Sequence, residues 1–174
     1  MIHCIHCGHQ LSGDDWPRQC GGCQAFNYNS PKPVVALVLR SWCPKTGHPG
    51  IIAIQRGIEP HKGEWAFPGG YIDFCEDWRM AAARETREEI GVVIDPEQLC
   101  ILDAVVTPTN FLVFFVGLTI YIPKNAWAEF DPTSSEALND TGEQEILDIE
   151  VFPANVRRPL GIPSHNTFWQ NFRF

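Results

Sequence analysis

Hydrophobic and polar positions divide the chain into a short polar head and a longer, strand-rich body. Residues 34–39 are an unbroken apolar, β-branched run, the pattern of a strand buried on both faces. Residues 43–50 carry Pro44, Gly47, Pro49 and Gly50 and predict a turn, after which 51–55 predict a second strand. Residues 57–70 are punctuated by Gly and Pro and end in Phe67-Pro68-Gly69-Gly70. The clearest helix is 77–90, Ala-rich, with Asp77 at its start and Gly91 as its stop. Strands follow at 100–106, 111–122 and 146–152, and a closing helix at 164–172 with Ser164 as its cap. Between them, 123–144 is polar but holds Trp127 and Phe130; so long a connection is usually functional or mobile.

The head differs in kind. Residues 1–29 are rich in Cys, His, Gly and Gln, with few aliphatics, and 29–33 (Asn-Ser-Pro-Lys-Pro) form a stiff linker. Two domains are expected, 1–32 and 33–174. Four of the seven cysteines, Cys4, Cys7, Cys20 and Cys23, lie in the head as two C-x2-C pairs twelve residues apart. Two such turns supply four sulfurs for a closed tetrahedral zinc site. A redox pair or incidental thiols are the alternatives, but a redox C-x-x-C usually occurs once, beside a βαβ unit. With so little apolar sequence the segment needs its metal to stay ordered. His3, His6 and His9 crowd the first pair and are read as surface residues. Cys43, Cys75 and Cys100 have no partner pattern and are expected to be small buried residues.

The 174 residues carry a formal charge of −8, which disfavours a large nucleic-acid or anionic-membrane surface. The longest apolar run, 111–122, is below the roughly 20 residues a membrane-spanning helix needs. The start shows no basic segment leading into an apolar stretch, so a cytoplasmic setting is expected.

On the helix, Glu85, Glu88 and Glu89 share an arc of about 100°, with Met80, Ala83, Thr86 and Ile90 roughly opposite as the expected packing face. Three like charges in the last turns oppose both one another and the helix dipole. A divalent cation reverses that sign, and hard oxygen ligands suit Mg2+ or Mn2+. A solvated helix with an Arg84–Glu88 pair is the competing reading. Gly70 weighs toward metal, because without a side chain its carbonyl can approach the same ion.

Gly70, five residues, Glu76, seven residues, then Arg84-Glu85-Thr86-Arg87-Glu88-Glu89-Ile90-Gly91-Val92 resembles the Nudix box. Thr86 stands where that box has an aliphatic residue, a departure on the packing face rather than among the acids. The resemblance implies an α/β fold, a Nudix α/β/α sandwich with a mixed sheet, preceded here by a small zinc ribbon. It implies Mg2+-dependent hydrolysis of a nucleoside diphosphate linked to another moiety. Position by position, Glu85, Glu88, Glu89 and the Gly70 carbonyl would hold the metal, Arg84 would orient Glu85, and Glu76 would support loop and helix. The general base varies within the family; Glu145 and, less favoured, Glu143 are the candidates.

Zinc-ribbon Nudix proteins include NADH pyrophosphatases, but their Ser-Gln-Pro-Trp-Pro-Phe-Pro-like segment is absent; the tail offers only Arg158-Pro159-Leu160-Gly161-Ile162-Pro163-Ser164. The organisation is closer to relatives acting on ADP-ribose or FAD. Arg56, Trp65 and Phe67 are the expected substrate-binding residues; Phe26, Tyr28, Phe111, Trp127 and Phe130 are further stacking candidates, although core packing is the commoner role for most aromatics. Cleansing of oxidised triphosphates is an alternative within the same chemistry. A ligand-sensing module whose zinc ribbon recruits a partner is an alternative of another class. A small nucleotide substrate, no nucleic acid, no membrane and a family-level homodimer complete the expectations.

Overall fold

The computed structural model describes residues 2–127 and 142–173. The chain divides into two compact units, Met1–Lys32 and Pro33–Phe174.

The first unit pairs β1 (Arg18–Gln19) with β2 (Phe26–Asn27), antiparallel. Its buried apolar residues are Cys4, Leu11 and Cys20, with Trp16 packed beside them. That is too small an apolar core to order thirty-odd residues, because backbone ordering costs about 1–2 kcal/mol per residue.

In the second unit β3 (Lys32–Val38), β4 (Arg40–Trp42), β5 (Pro49–Arg56) and β6 (Trp65–Ala66) precede helix α1 (Trp78–Ile90). Strands β7 (Leu99–Val106), β8 (Phe111–Leu118) and β9 (Ile146–Pro153) and helix α2 (Pro163–Asn171) follow. One sheet runs β3-β8-β7. In the other, β5 pairs antiparallel with β4, β6 and β9. A parallel bridge between Ser41 and Ile122 makes the arrangement mixed.

Strand alternation builds two cores from the same strands. Val35, Leu37, Leu39, Ile52 and Ile54 pack with Ala81, Ala82 and Ile90 of α1. Ala36, Val38, Ile51 and Ala53 face the other way, onto Phe115, Phe152 and Trp169 of α2. The unbroken apolar run of β3 is thus explained: both its faces are covered, giving an α/β/α sandwich.

Several expectations need adjustment. The strand expected over 111–122 stops at Leu118, and Ile122 joins only through its bridge. The last helix starts at Pro163, with Ile162 at the cap position and no side-chain cap bond, so Ser164 does not cap it. Proline suits the first turn because its missing N–H is unpaired there anyway. Cys43 is buried, but Cys75 and Cys100 are exposed, because Cys75 sits in the loop before α1 and Cys100 on the outer strand β7.

Candidate active site and metal centre

Helix α1 begins where Asp77 accepts a hydrogen bond from the Arg79 amide and ends at Gly91, φ 70°, whose N–H bonds back to Arg87 and Thr86. The helix is therefore framed by a cap at each end. Its buried face is Ala81, Ala82, Glu85, Thr86, Glu89 and Ile90. This corrects the packing face read from the pattern: Met80 is 55% exposed, and two of the three acids are turned inward. Thr86 is fully buried, its hydroxyl donating to the Ala82 carbonyl at 2.6 Å, so the departure from an aliphatic residue leaves no polar group unsatisfied.

The inward acids meet the segment that follows β6. Residues 68–72 run beside β3: the amides of Val35 and Leu37 donate to the carbonyls of Gly70 and Pro68, and that of Ile72 to Pro33. Gly69 has φ 136°, and a Cβ there would collide with the Val35 carbonyl. Its amide donates to Glu89 Oε2 at 2.6 Å. A Cβ on Gly70 would run into the Glu85 carboxylate. The two glycines therefore let backbone and carboxylates come together where any side chain would intervene. The Gly70 carbonyl, taken by Val35, keeps its second lone pair.

Arg84 binds the cluster. Its Nε and one terminal nitrogen hold both oxygens of Glu76, at 2.9 and 3.0 Å, a bidentate pair. The other terminal nitrogen reaches Glu85 at 2.8 Å and Glu88 at 3.2 Å, and a further bond goes to the Tyr71 carbonyl at 3.0 Å. The Glu76 pair raises the guanidinium above its ordinary pKa, and the same bond lowers Glu76. Burial pushes Glu85 up to about 7, with Glu88 and Glu145 adding to the rise and Arg84 opposing it. Burial also lifts Glu89 well above the carboxylate range, helped by Glu85 and Glu145 against the Gly69 amide and Arg56.

Glu145 thus belongs to the same electrostatic cluster, and the sheet puts it there. Arg56 ends β5 opposite Ile146, and the Gly57 amide donates to the Glu145 carbonyl at 2.6 Å. Glu143, two residues earlier, is exposed. Arg56 is partly buried, its Nε on the Pro60 carbonyl at 2.9 Å, and its charge acts on Glu89. Trp65 is partly buried, with Arg158 over its ring at 5.4 Å. Phe67, expected to bind substrate, is only 2% exposed and packs on Phe115, Phe168 and His165, so its ring belongs to the core. Trp127 is buried with its N–H on Ser41 and is likewise a packing residue. Phe111 is partly buried against Tyr71; Phe26 and Tyr28 are exposed on the first unit; Phe130 lies outside the described residues.

The donor set suits a hard divalent cation. It is all oxygen, its acids outnumber the arginines beside them, and its buried carboxylates are driven toward protonation without a cation. One oxygen each of Glu85 and Glu89 is engaged, by Arg84 and by Gly69; among the described residues the other accepts no hydrogen bond. A cavity of about 350 Å³ near the β4–β5 turn contains Asp148 and Glu150, but Glu150 is held by Lys45 and Arg158. The chemistry therefore points to the helix.

The four head cysteines form a second cluster that could hold a metal ion. Their sulfurs lie within 4.8 Å of one another, with Cys4–Cys23 and Cys7–Cys20 at 3.6 Å. A tetrahedral Zn–S4 site with bonds of about 2.3 Å needs sulfur separations of about 3.8 Å. The two turns repeat one design. In each, the amide two residues after the first cysteine points at its sulfur at 3.4 Å, from His6 to Cys4 and from Gly22 to Cys20. Buried Asn27 joins the halves, accepting from the Ile5 amide at 3.0 Å and donating to Cys4 Sγ at 3.5 Å. Burial opposes ionisation of Cys4, but the His6 amide and Asn27 bring it down to about 6. The Ala25 amide favours the Cys23 thiolate, yet Cys7, burial, Cys4 and Cys20 push it up to about 12. Four crowded thiols cannot all ionise without a cation.

One residue escaped the pattern reading. His165 of α2 is buried among aromatics and accepts the Phe67 amide on Nδ1 at 3.2 Å. Its signal was there: His165, Phe168, Trp169 and Phe172 fall at i, i+3, i+4 and i+7, placing a histidine on an apolar stripe.

The NUDIX domain family model matches residues 32–165. The human mitochondrial coenzyme A diphosphatase is 36% identical over 72 residues, 39% of this chain and 30% of that protein. The Proteus vulgaris 8-oxo-dGTP diphosphatase is 41% identical over 59 residues, 33% of this chain and 51% of that one. The matches thus span about half or less of these relatives' own lengths. Among solved structures, the NUDIX domain of Shewanella oneidensis NrtR complexed with ADP ribose superposes with a TM-score of 0.56 at 18% identity, covering 82% of this chain and 86% of that one. A NUDIX hydrolase from Nitrosomonas europaea gives 0.53 at 21%, covering 95% and 82%. These likenesses are of fold.

Proposed function

The chain belongs to the Nudix family, and on that premise we propose that it hydrolyses the diphosphate bond of a nucleoside diphosphate linked to another moiety. The observation that carries this is the convergence of buried Glu85 and Glu89 with Gly69, Gly70 and Arg84. A sensor has no need for a complete acidic set in which two members, Glu85 and Glu89, are buried and raised in pKa by that burial. An ADP-type compound, ADP-ribose or FAD, is the favoured substrate. Coenzyme A, acted on by the human relative, also contains an ADP-type diphosphate, which supports the class. The local identity to an 8-oxo-dGTP diphosphatase supports a second reading, an oxidised nucleoside triphosphate. NADH is disfavoured by the missing segment after the box.

Glu85, Glu88, Glu89 and the free lone pair of Gly70 would hold Mg2+ or Mn2+. Bound there, such an ion would neutralise charge at the diphosphate and lower the pKa of water. The chain's own residues do the rest. Arg84 and Gly69 fix the orientations of Glu85 and Glu89. Glu145, at the end of the sheet beside those acids, is proposed to take the proton of the attacking water on its carboxylate. Arg56 and the exposed part of Trp65 are proposed to meet the substrate. The four cysteines are proposed to hold a structural zinc. Among the described residues no helix is long and apolar enough to cross a membrane. The reduced state such a thiol-rich head requires supports a cytoplasmic setting, and the net charge of −8 supports a small-molecule rather than a nucleic-acid ligand. A Mg2+-dependent assay over ADP-ribose, FAD, coenzyme A, NADH and 8-oxo-dGTP tests the reading. Phosphate-bond cleavage of an ADP-type compound is expected, and inactivity on all contradicts it.

A further inference from the structure

We infer that His165 is a positioning residue for the carboxylate site, acting through the backbone amide of Phe67. The inference rests on the metal-helix reading proposed above.

The chain of contacts is short. His165 Nδ1 accepts the Phe67 amide at 3.2 Å, in a site where histidine and phenylalanine are 8% and 2% exposed. The imidazole also packs on the Phe67 ring at 5.3 Å and on Phe115 at 5.9 Å. Phe67 opens the segment whose next residues set the acids. Pro68 takes the Leu37 amide, Gly69 donates to Glu89, and Gly70 abuts Glu85. A single residue, Pro68, lies between Phe67, whose amide His165 accepts, and Gly69, whose amide holds Glu89. Helix α2 covers one face of the sheets and α1 the other, so this bond ties the second helix to the carboxylates of the first.

The bond also fixes the chemistry of the ring. An Nδ1 that accepts must be unprotonated, so neutral His165 carries its proton on Nε2. Protonating Nδ1 would turn an acceptor into a donor facing an N–H. Burial first, then Arg56 and His61, hold the ring neutral, lowering its pKa to about 3. Among the described residues those are the charged or titratable groups that act on it. A histidine that merely fills space would need only its ring. Here the acceptor matters, because a buried amide left unpaired is unfavourable and the segment would shift to find a partner.

The test separates ring from acceptor. His165→Phe keeps the ring and removes Nδ1; His165→Asn presents an amide oxygen near the same place. Mn2+ affinity is read by electron paramagnetic resonance of the free ion, which needs no substrate. His165→Phe is expected to weaken Mn2+ binding about tenfold, the lower range for losing a group that orients metal ligands. His165→Asn is expected to restore most of it, with the same pattern in kcat rather than KM. In the wild type, saturation with Mg2+ is expected to move the His165 Nδ1 resonance in 15N spectra. This signature is read whether or not the phenylalanine variant folds. Wild-type Mn2+ affinity in folded His165→Phe, an asparagine variant no better than phenylalanine, or an unmoved resonance each overturns the inference alone. A wild-type protein that binds no Mn2+ overturns it together with the metal-helix reading.

Discussion

The amide of Gly69 donates to Glu89 Oε2 at 2.6 Å, across twenty residues of sequence. That bond fastens the turn after β6 to the last coil of α1, and it exists because Gly69 has φ 136° and no Cβ to strike the Val35 carbonyl. Beside it, Gly70 leaves room for the Glu85 carboxylate.

The two glycines are expected to fail differently when replaced. Gly69→Ala sets a Cβ against backbone that cannot move aside and strains φ, so the loss is of stability, about 2 kcal/mol or more. Gly70→Ala meets the end of a side chain, which can swing. It is expected to unfold within a few degrees of wild type yet lose Mg2+-dependent turnover by about tenfold or more, as expected when a first-rank ligand is displaced. Calorimetry with a turnover assay on both variants checks this; equal loss of stability contradicts the assigned contacts.

Mn2+ binding is expected to tighten with pH. Metal must displace the proton that Glu85 keeps up to about pH 7. Between pH 6 and pH 8 the affinity should rise about tenfold for one displaced proton, and more steeply if Glu89 also loses one. The linked effect on the metal-free fold has the opposite sense. A carboxylate whose folded pKa is raised adds stability below its unfolded pKa of about 4.5, lost as pH rises to 7. Glu85→Gln should therefore stabilise the metal-free protein relative to wild type at pH 8 more than at pH 4. Denaturant titration at both values measures it; a pH-independent difference contradicts it.

Much of this was legible in the amino-acid pattern, and the exceptions share a cause. The unbroken run at 34–39, the acid spacing on α1 and the paired C-x2-C turns are local and carry their geometry with them. The direction in which α1 faces is not local. Helical periodicity put Met80 on the packing face and the acids outside, whereas Met80 is exposed and Glu85 and Glu89 are buried beneath the two glycines. The preference for keeping charge in water is offset here by the Arg84 and Gly69 bonds that hold these two carboxylates. Phe67 departs from its expected role for a related reason. It adjoins the glycines in sequence, but strand alternation sends its ring to the α2 side. Glu145 was recognisable only as an acid ahead of a strand, because its approach to Glu89 depends on β9 pairing with β5.

Zinc removal is expected to disorder the head alone. Chelation should collapse the amide dispersion of residues 1–29 in NMR while the spectrum of residues 33–174 is kept, because Cys4, Leu11, Cys20 and Trp16 are nearly all the core the head has. Asn27→Ala removes the link between the turns and should weaken zinc binding by about tenfold. An unchanged head after chelation contradicts the assignment of the four cysteines.

Glu145→Gln separates proton transfer from metal binding. It is expected to leave Mn2+ affinity within a few-fold of wild type and to lower kcat by about a hundredfold, the usual size of a general-base loss. Unchanged kcat removes Glu145 from the mechanism and returns the base to the helix.

The acids of α1 are proposed to hold a cation against the substrate diphosphate. Glu88, joined to Arg84 at 3.2 Å and partly exposed, is the acid whose amide can be introduced with least harm to the fold. Turnover of ADP-ribose with Mg2+ by wild type and Glu88→Gln, alongside their unfolding temperatures, is the decisive measurement. The expected result is a folded variant whose Mg2+-dependent rate falls by about tenfold or more, as loss of a metal clamp requires. A folded variant with full activity contradicts it.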